Sequence, residues 1–258
     1  MAAVNTQNLA LSFLVVLLVG AVFGLAFAFL TVTLQADQTV CGMAMLTFGT
    51  GLSGFLGKDV AGVAANLRFE DLPIPGLSRI PFIGPVFFSQ NLLVYAMYII
   101  VPLSLFYIYR TRQGLYLRAL GENPAALDSA GMNVFAMRYA YVIFGCMMIS
   151  ISGACVSLAN TNFWSSGMTA GKGWIAFALV AFSSWNPWKL TLGALLFGFI
   201  SCLGSNLQIY LPGIPTEIFS ALPYIATIVA FILATGNFRK VHTVQPAALG
   251  KPYDREAR

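Results

Sequence analysis

The chain has 258 residues, 58% of them hydrophobic and only 9% charged, with a net charge of +5 and a mean hydropathy of +0.79. A soluble domain is about 25% charged, so this deficit excludes a globular enzyme and identifies a polytopic membrane protein. The basic excess calls for no nucleic acid, because cytoplasmic loops of membrane proteins carry extra Lys and Arg.

The first predicted span covers residues 8–34. Its apolar run is too long for a signal peptide and lacks a basic lead-in, but it easily crosses a ~30 Å hydrocarbon core. Gly20-Ala21-Val22-Phe23-Gly24 gives it a small-xxx-small face for close packing against a neighbouring helix. After the polar break Gln35-Ala36-Asp37-Gln38 comes a weaker span, 39–57, rich in Gly and Ser and expected to be broken or buried in the bundle. Residues 58–90 form a long extracytoplasmic loop containing Pro73, Pro75, Pro81 and Pro85. The third span is 91–109, and a basic loop, 110–138, separates it from the fourth, 139–159. The polar run Asn160-Thr161-Asn162-Phe163-Trp164 follows. The fifth span, 168–185, is marginal in length. Asn186-Pro187 caps and opens the sixth, 188–208. The seventh, 216–236, contains Pro223, which predicts a kink or a short surface helix leading into a shorter span. A basic, polar tail, 237–258, reads as loose. The fold class is thus an all-α membrane bundle of about seven spans, with a transmembrane domain over residues 1–236 and a cytoplasmic tail beyond it.

Lys and Arg set the orientation. Placing loop 110–138 inside also places 186–189 and the tail inside, which gives ten basic residues there against four (Lys58, Arg68, Arg79 and Lys172) on the opposite side. The chain then begins outside and ends inside.

Within the inner loop, Gly121-Glu122-Asn123-Pro124-Ala125-Ala126-Leu127-Asp128-Ser129-Ala130-Gly131-Met132 reads as a self-contained two-turn helix. Asn123 caps it through its side-chain oxygen. Pro124 occupies the first helical position, where its missing N–H costs nothing. Gly131 stands where the chain must leave in a left-handed conformation. A helix this short is unstable alone in water, so docking onto a partner would explain it. An ordinary capped loop helix is the other reading.

No catalytic centre or metal site is legible. Cys41, Cys146, Cys155 and Cys202 lie in apolar stretches without a C-x-x-C pair and read as small buried hydrophobes, and His242 is the only histidine. Gly49-Thr50-Gly51-Leu52-Ser53-Gly54 matches G-x-G-x-x-G, but inside an apolar span rather than between a strand and a helix, so it does not read as a dinucleotide site. All nine carboxylates fall in loops, tails or span ends. Ion-coupled transporters usually carry ionisable groups within the membrane, so transport powered elsewhere, of an uncharged or weakly charged solute, fits better.

Several motifs resemble those of the ABC importer permeases that handle branched-chain amino acids, ribose and nucleosides. Gly121–Ala126 with Ala130-Gly131-Met132 resembles their coupling-helix loop. Met168-Thr169-Ala170-Gly171-Lys172-Gly173-Trp174-Ile175-Ala176, Trp185-Asn186-Pro187-Trp188, Gly193-Ala194-Leu195-Leu196-Phe197-Gly198, Leu222-Pro223-Tyr224 and Ala36-Asp37-Gln38-Thr39-Val40 follow the family's order. The set is closest to the nucleoside (basic-membrane-protein) permeases and covers about residues 20–236. Family members usually carry a further N-terminal region with a motif like S-E-R-x-G-V-x-N-I-G-L-E-G, absent here. An odd number of missing crossings would restore a cytoplasmic N-terminus.

The resemblance implies a permease subunit of an ABC importer in a bacterial inner membrane, translocating a nucleoside, with a sugar or branched-chain amino acid as alternatives. The implied partners are an ABC ATPase, a second permease subunit, an extracytoplasmic solute-binding protein and the lipid bilayer. With no G-x-x-x-x-G-K-[ST] P-loop in the chain, ATP and Mg would reside on the ATPase, and this chain would hold no cofactor. Coupling to the ATPase is expected through Gly121, Glu122, Asn123, Pro124, Ala125, Ala126, Asp128, Ala130 and Gly131. Asn160, Asn162, Trp164, Asn206 and Gln208, at outer span ends, are candidates for the translocation path, their amide and indole donors suiting a ribose or a base. Interfacial anchoring and local capping are the competing roles. An ion-coupled secondary transporter and a non-transporting scaffold subunit remain the alternatives of a different class.

Overall fold

Most helix starts among the described residues are fixed by side-chain caps, because a backbone amide left unpaired in hydrocarbon costs several kcal/mol. The computed structural model describes residues 6–63, 71–76, 78, 87–160, 163–169, 171–211, 213, 215–235 and 245–255. Helix α1 (Leu9–Ala28, continued by a π turn, Phe29–Thr33) opens at Asn8, whose side chain accepts from the Ala10 and Leu11 amides at 3.0 and 3.3 Å. Helix α2 (Gln38–Gly57, then a 3-10 turn, Lys58–Val60) opens at Asp37, which accepts from Thr39 and Val40, both at 2.9 Å. Helix α3 (Leu92–Arg110) is capped by Asn91.

Helix α4 (Arg112–Glu122) and helix α5 (Pro124–Ser129) precede the long helix α6 (Val134–Cys155, with a π extension, Val156–Asn160). Helix α7 (Lys172–Phe182), helix α8 (Pro187–Tyr210, capped by Asn186) and helix α9 (Thr216–Thr235) complete the set. Strands β1 (Asp71–Pro73) and β2 (Ser89–Asn91) pair antiparallel, with Leu72 opposite Gln90.

Five of these segments are long and apolar enough to cross a membrane: Leu9–Thr33, Gln38–Val60, Leu92–Arg110, Val134–Leu158 and Pro187–Tyr210. The expected second span is continuous despite its glycines. The expected fifth is reduced to the eleven residues of α7, about 16 Å of helix, too short to cross alone. Helix α9 runs through Pro223 as one helix.

The chain divides into two units. One holds Met1–Ile100, Tyr107–Ala170 and Ala247–Arg258, the other Val101–Phe106 and Gly171–Pro246. In the first, α1 lies along α6. The face of α1 that is buried is made of small residues, Ser12, Gly20, Gly24 and Ala28. A Cβ on Gly20 would sit 2.9 Å from Met147 Cα, and one on Gly24 would sit 2.9 Å from Ile143 Cα. The small-xxx-small face predicted from the sequence is therefore the α1–α6 contact. Leu9, Phe13, Val16 and Leu93 pack around Ala154 and Leu158 at one end, and Thr33 shares a hydrogen bond with the Tyr139 hydroxyl at the other. In the second unit α8 packs on α9, where Gly204 lies against the Phe219 carbonyl and the Phe197 and Tyr224 rings meet edge-on at 6.4 Å.

The α1–α6 geometry predicts the effect of added bulk. Gly24→Leu must push two helix backbones apart, an overpacking cost of about 1–3 kcal/mol. Its melting temperature in detergent is expected to fall well below that of Gly153→Leu, since a Cβ at Gly153 meets nothing within 4 Å.

Candidate functional site

The basic loop between α3 and α6 is almost entirely helical, and the sequence reading missed half of it: Arg112–Glu122 forms α4. Thr111 makes the corner. Its hydroxyl donates to the Tyr107 carbonyl at 2.6 Å and accepts from the Gly114 amide at 3.0 Å. Gly114 is buried there, and a Cβ on it would run into the Tyr107 and Ile108 carbonyls. Only glycine lets the chain leave one helix and begin the next so abruptly. Arg118 turns back over the Tyr109 ring at 5.5 Å.

The predicted capped helix is present as α5, six residues long. The Asn123 side chain accepts from the Ala126 amide at 3.1 Å, and its own N–H donates to the Ala119 carbonyl at 2.8 Å, so one residue ends α4 and starts α5. At the far end Gly131 has φ +82°. Its N–H donates to the Asp128 carbonyl at 2.9 Å, and the Met132 N–H donates to the Leu127 carbonyl at 3.3 Å. These paired bonds are a Schellman closure. Asn133 then caps α6 by accepting from the Ala136 amide at 3.0 Å. Three successive caps leave little slack between α4 and α6.

One side of α5 is anchored. Leu120, Leu127 and Val134 are buried together, with Tyr116, Ala119, Ala125, Met132, Met137 and Tyr141 around them. The other side, carrying Glu122, Asn123, Ala126, Ser129, Ala130 and Gly131, is exposed. Gly121, Pro124, Ala125 and Asp128 are half-buried at the boundary. A stiff, short helix with a packed base and a bare, small-residue top can seat in a groove of another protein.

Residues 247–255 also belong to this site, contrary to the expectation of a loose tail. Tyr253 is buried in the same cluster as Leu127, and Arg255 Nε lies 2.9 Å from Asp128 Oδ2.

The proposed path residues are spread over both units. Asn162 lies outside the described residues, and of Asn160 the backbone alone is described, in the π extension of α6. Trp164 belongs to the first unit. Its carbonyl accepts from the Gly62 amide at 3.0 Å, and its ring lies against Gly57. With Phe23, Leu52, Leu56 and Val60 it lines an apolar cavity of about 290 Å³. Asn206 and Gln208 are on α8 in the second unit, and the Asn206 amide donates to the Cys202 carbonyl at 2.8 Å, a bond within its own helix. The G-x-G-x-x-G match lies inside α2, with helix on both sides. The four cysteines are free thiols, Cys41 buried and Cys202 exposed.

The model of the family "Branched-chain amino acid transport system / permease component" matches residues 1–231. A protein of Haloferax volcanii, named as a glucose ABC transporter permease protein, is 34% identical over 97% of this chain and 83% of its own length. The nucleoside ABC transporter permease protein of Lactococcus lactis is 34% identical over 94% of this chain and 77% of its own. The guanosine ABC transporter permease protein of Bacillus subtilis has the same identity and coverage. No solved structure matches the chain.

The Thr111–Gly114 corner and the Gly131 closure differ in how they answer substitution. Gly114→Val drives a side chain into fixed carbonyls and is expected to cost about 1–3 kcal/mol, with new protease cleavage around the corner. Gly131→Ala meets open space and carries only the left-handed penalty of about 1–2 kcal/mol. Detergent melting curves and limited proteolysis of the two variants check the ranking.

Proposed function

The chain belongs to the branched-chain amino acid transport system / permease component family, and from that premise we propose that it imports a nucleoside across the plasma membrane. As an ABC transporter permease it is a multi-pass membrane protein, a non-enzymatic component that works with an ATPase. The observation that carries the cargo is the 34% identity, over 94% of the chain, to permeases named for nucleosides and for guanosine. The charge distribution supports it. The described carboxylates Asp37, Asp59, Asp71, Glu122, Asp128, Glu217 and Asp254 stand at helix ends or outside the long apolar helices, which suits a cargo without a formal charge. A sugar is the second reading, favoured by the relative named for glucose.

In the mechanism we infer, the solute arrives from an extracytoplasmic binding protein at a pair of permease subunits. The exposed top of α5 seats on the ATPase. Closure of the ATPases around ATP displaces that helix. Its packed base and its caps pass the displacement to α4 and α6, because the segment cannot absorb it by bending. Glu122 is exposed and offers a carboxylate to a basic residue of the ATPase surface. Solute moves when the long helices change their packing, and this chain makes or breaks no covalent bond.

Two outcomes test the reading. Proteoliposomes holding this permease with its ATPase and binding protein are expected to accumulate labelled guanosine only with ATP, and unlabelled adenosine should compete. ATP-driven accumulation of glucose, unaffected by nucleosides, would replace the cargo assignment. Replacing Glu122, Asn123 and Pro124 together by glycine is expected to abolish uptake while membrane insertion, followed by fractionation, stays normal. Undiminished uptake would remove α5 from the coupling role.

A further inference from the structure

Residues 247–255 are held by contacts to four different parts of the first unit. The Ala248 N–H donates to the Gly121 carbonyl at 2.9 Å, at the last turn of α4. A tight turn follows, closed by the Lys251 N–H on the Ala248 carbonyl at 3.2 Å, with Gly250 at φ +76°. Arg138 on α6 donates to the Lys251 carbonyl at 3.2 Å. Gln35, at the end of α1, donates through its side-chain amide to the Tyr253 carbonyl at 3.2 Å. The Tyr253 side chain is buried between Phe135, at 5.8 Å between ring centroids, and Arg138, whose guanidinium lies 5.8 Å from the ring centroid. Its hydroxyl donates to Asp128 on α5 at 3.2 Å, and Arg255 approaches the same carboxylate oxygen at 2.9 Å.

We propose that this segment is a strap tying α5 to the ends of α1 and α6, with Tyr253 and Arg255 as positioning residues of the coupling helix. The inference rests on the coupling role given to α5 above and adds a second mechanical link to it. Along the chain, α5 is joined directly only to α4 and α6. The strap adds α1, and α1 and α6 already touch backbone to backbone through Gly20 and Gly24. A displacement of α5 therefore reaches both helices together. Asp128 is the hinge pin: its side chain is only 9% exposed, whereas that of Arg255 is 67% exposed. The buried ring and hydroxyl of Tyr253 accordingly hold the strap more firmly than the ion pair, which solvent weakens.

The test uses the full complex of permease, ATPase and binding protein in proteoliposomes, reading three quantities: ATPase bound per permease, ATP hydrolysed, and solute moved per ATP. Deletion of residues 247–258 and Tyr253→Ala should both keep the ATPase bound and hydrolysing. Solute moved per ATP should fall about tenfold, the change expected when ~1.4 kcal/mol of coupling is lost. Tyr253→Phe retains the ring and should recover most of that ratio. Asp128→Arg and Arg255→Asp should each lower the ratio, and the double swap should restore it. An unchanged ratio in the deletion overturns the strap. Loss of bound ATPase in the deletion also overturns it, since the segment would then be a docking contact and not a tie. If the deletion fails to insert, Tyr253→Ala decides: a lower ratio with the ATPase still bound supports the strap, and an unchanged ratio overturns it. The triple-glycine variant at residues 122–124 separates the two claims. If it leaves uptake intact, the coupling role itself has failed; if it abolishes uptake while the strap variants do nothing, only the strap has.

Discussion

Gly20 and Gly24 let two long apolar helices come together backbone to backbone, and the architecture around α5 depends on that approach. Lipid tails are as apolar as leucine, so no hydrophobic force drives such a contact. Close van der Waals packing must do so. Any side chain at either glycine would stand within 2.9 Å of the α6 backbone. The pair that results brings the end of α1, at Gln35, beside the beginning of α6, at Arg138. Both residues then reach the same short stretch of chain, 251–253.

At that end of the helix pair, polar chemistry takes over from packing. Asn123, Gly131 and Asn133 close four helix termini within eleven residues of sequence. Each cap satisfies amides or carbonyls that would otherwise need water, and each removes a place for the segment to yield. The amphipathic α4 sits on the buried Leu120, α5 on Leu127, and α6 begins at Val134, the most deeply buried of the three at 1% exposure. Rigidity and exposure are thereby combined: a helix of six residues, too short to exist alone, is held from beneath and left open above.

The opposite end of the first unit is built from aromatic and small residues. Trp164 lies over Gly57 and joins residues 61 and 62 through a parallel bridge and a backbone bond. The contacts within the unit form two sets, one joining residues 57–62 to Trp164 and the other joining Gln35 and α5 to residues 247–255.

The spans and the punctuation of α5 were legible in the sequence because each has a local cause. Hydropathy places α1, α2, α3 and α8 within one or two residues, with Asn186-Pro187 marking the start of α8, and Asn123-Pro124 with Gly131 places α5. Other features have causes remote in the chain. Helix α4 was hidden because its polar, arginine-rich residues read as loop, and its fold depends on burying Leu120 against Leu127 and Val134. The glycine-rich α2 was expected to be broken or buried in the bundle, and it stays continuous from its Asp37 cap to Gly57, since a helix in lipid has no water to replace its own hydrogen bonds. Gly114 shows its necessity only when the Tyr107 carbonyl is in place. The strap is the clearest case. Tyr253 and Asp128 stand 125 residues apart, and the sequence around Tyr253 is polar and basic, without the hydrophobic period that marks a packed element. Local pattern determined which helices exist and where they begin. The tertiary structure alone decided which of them share a buried carboxylate and a buried ring, because such contacts depend on where distant segments meet.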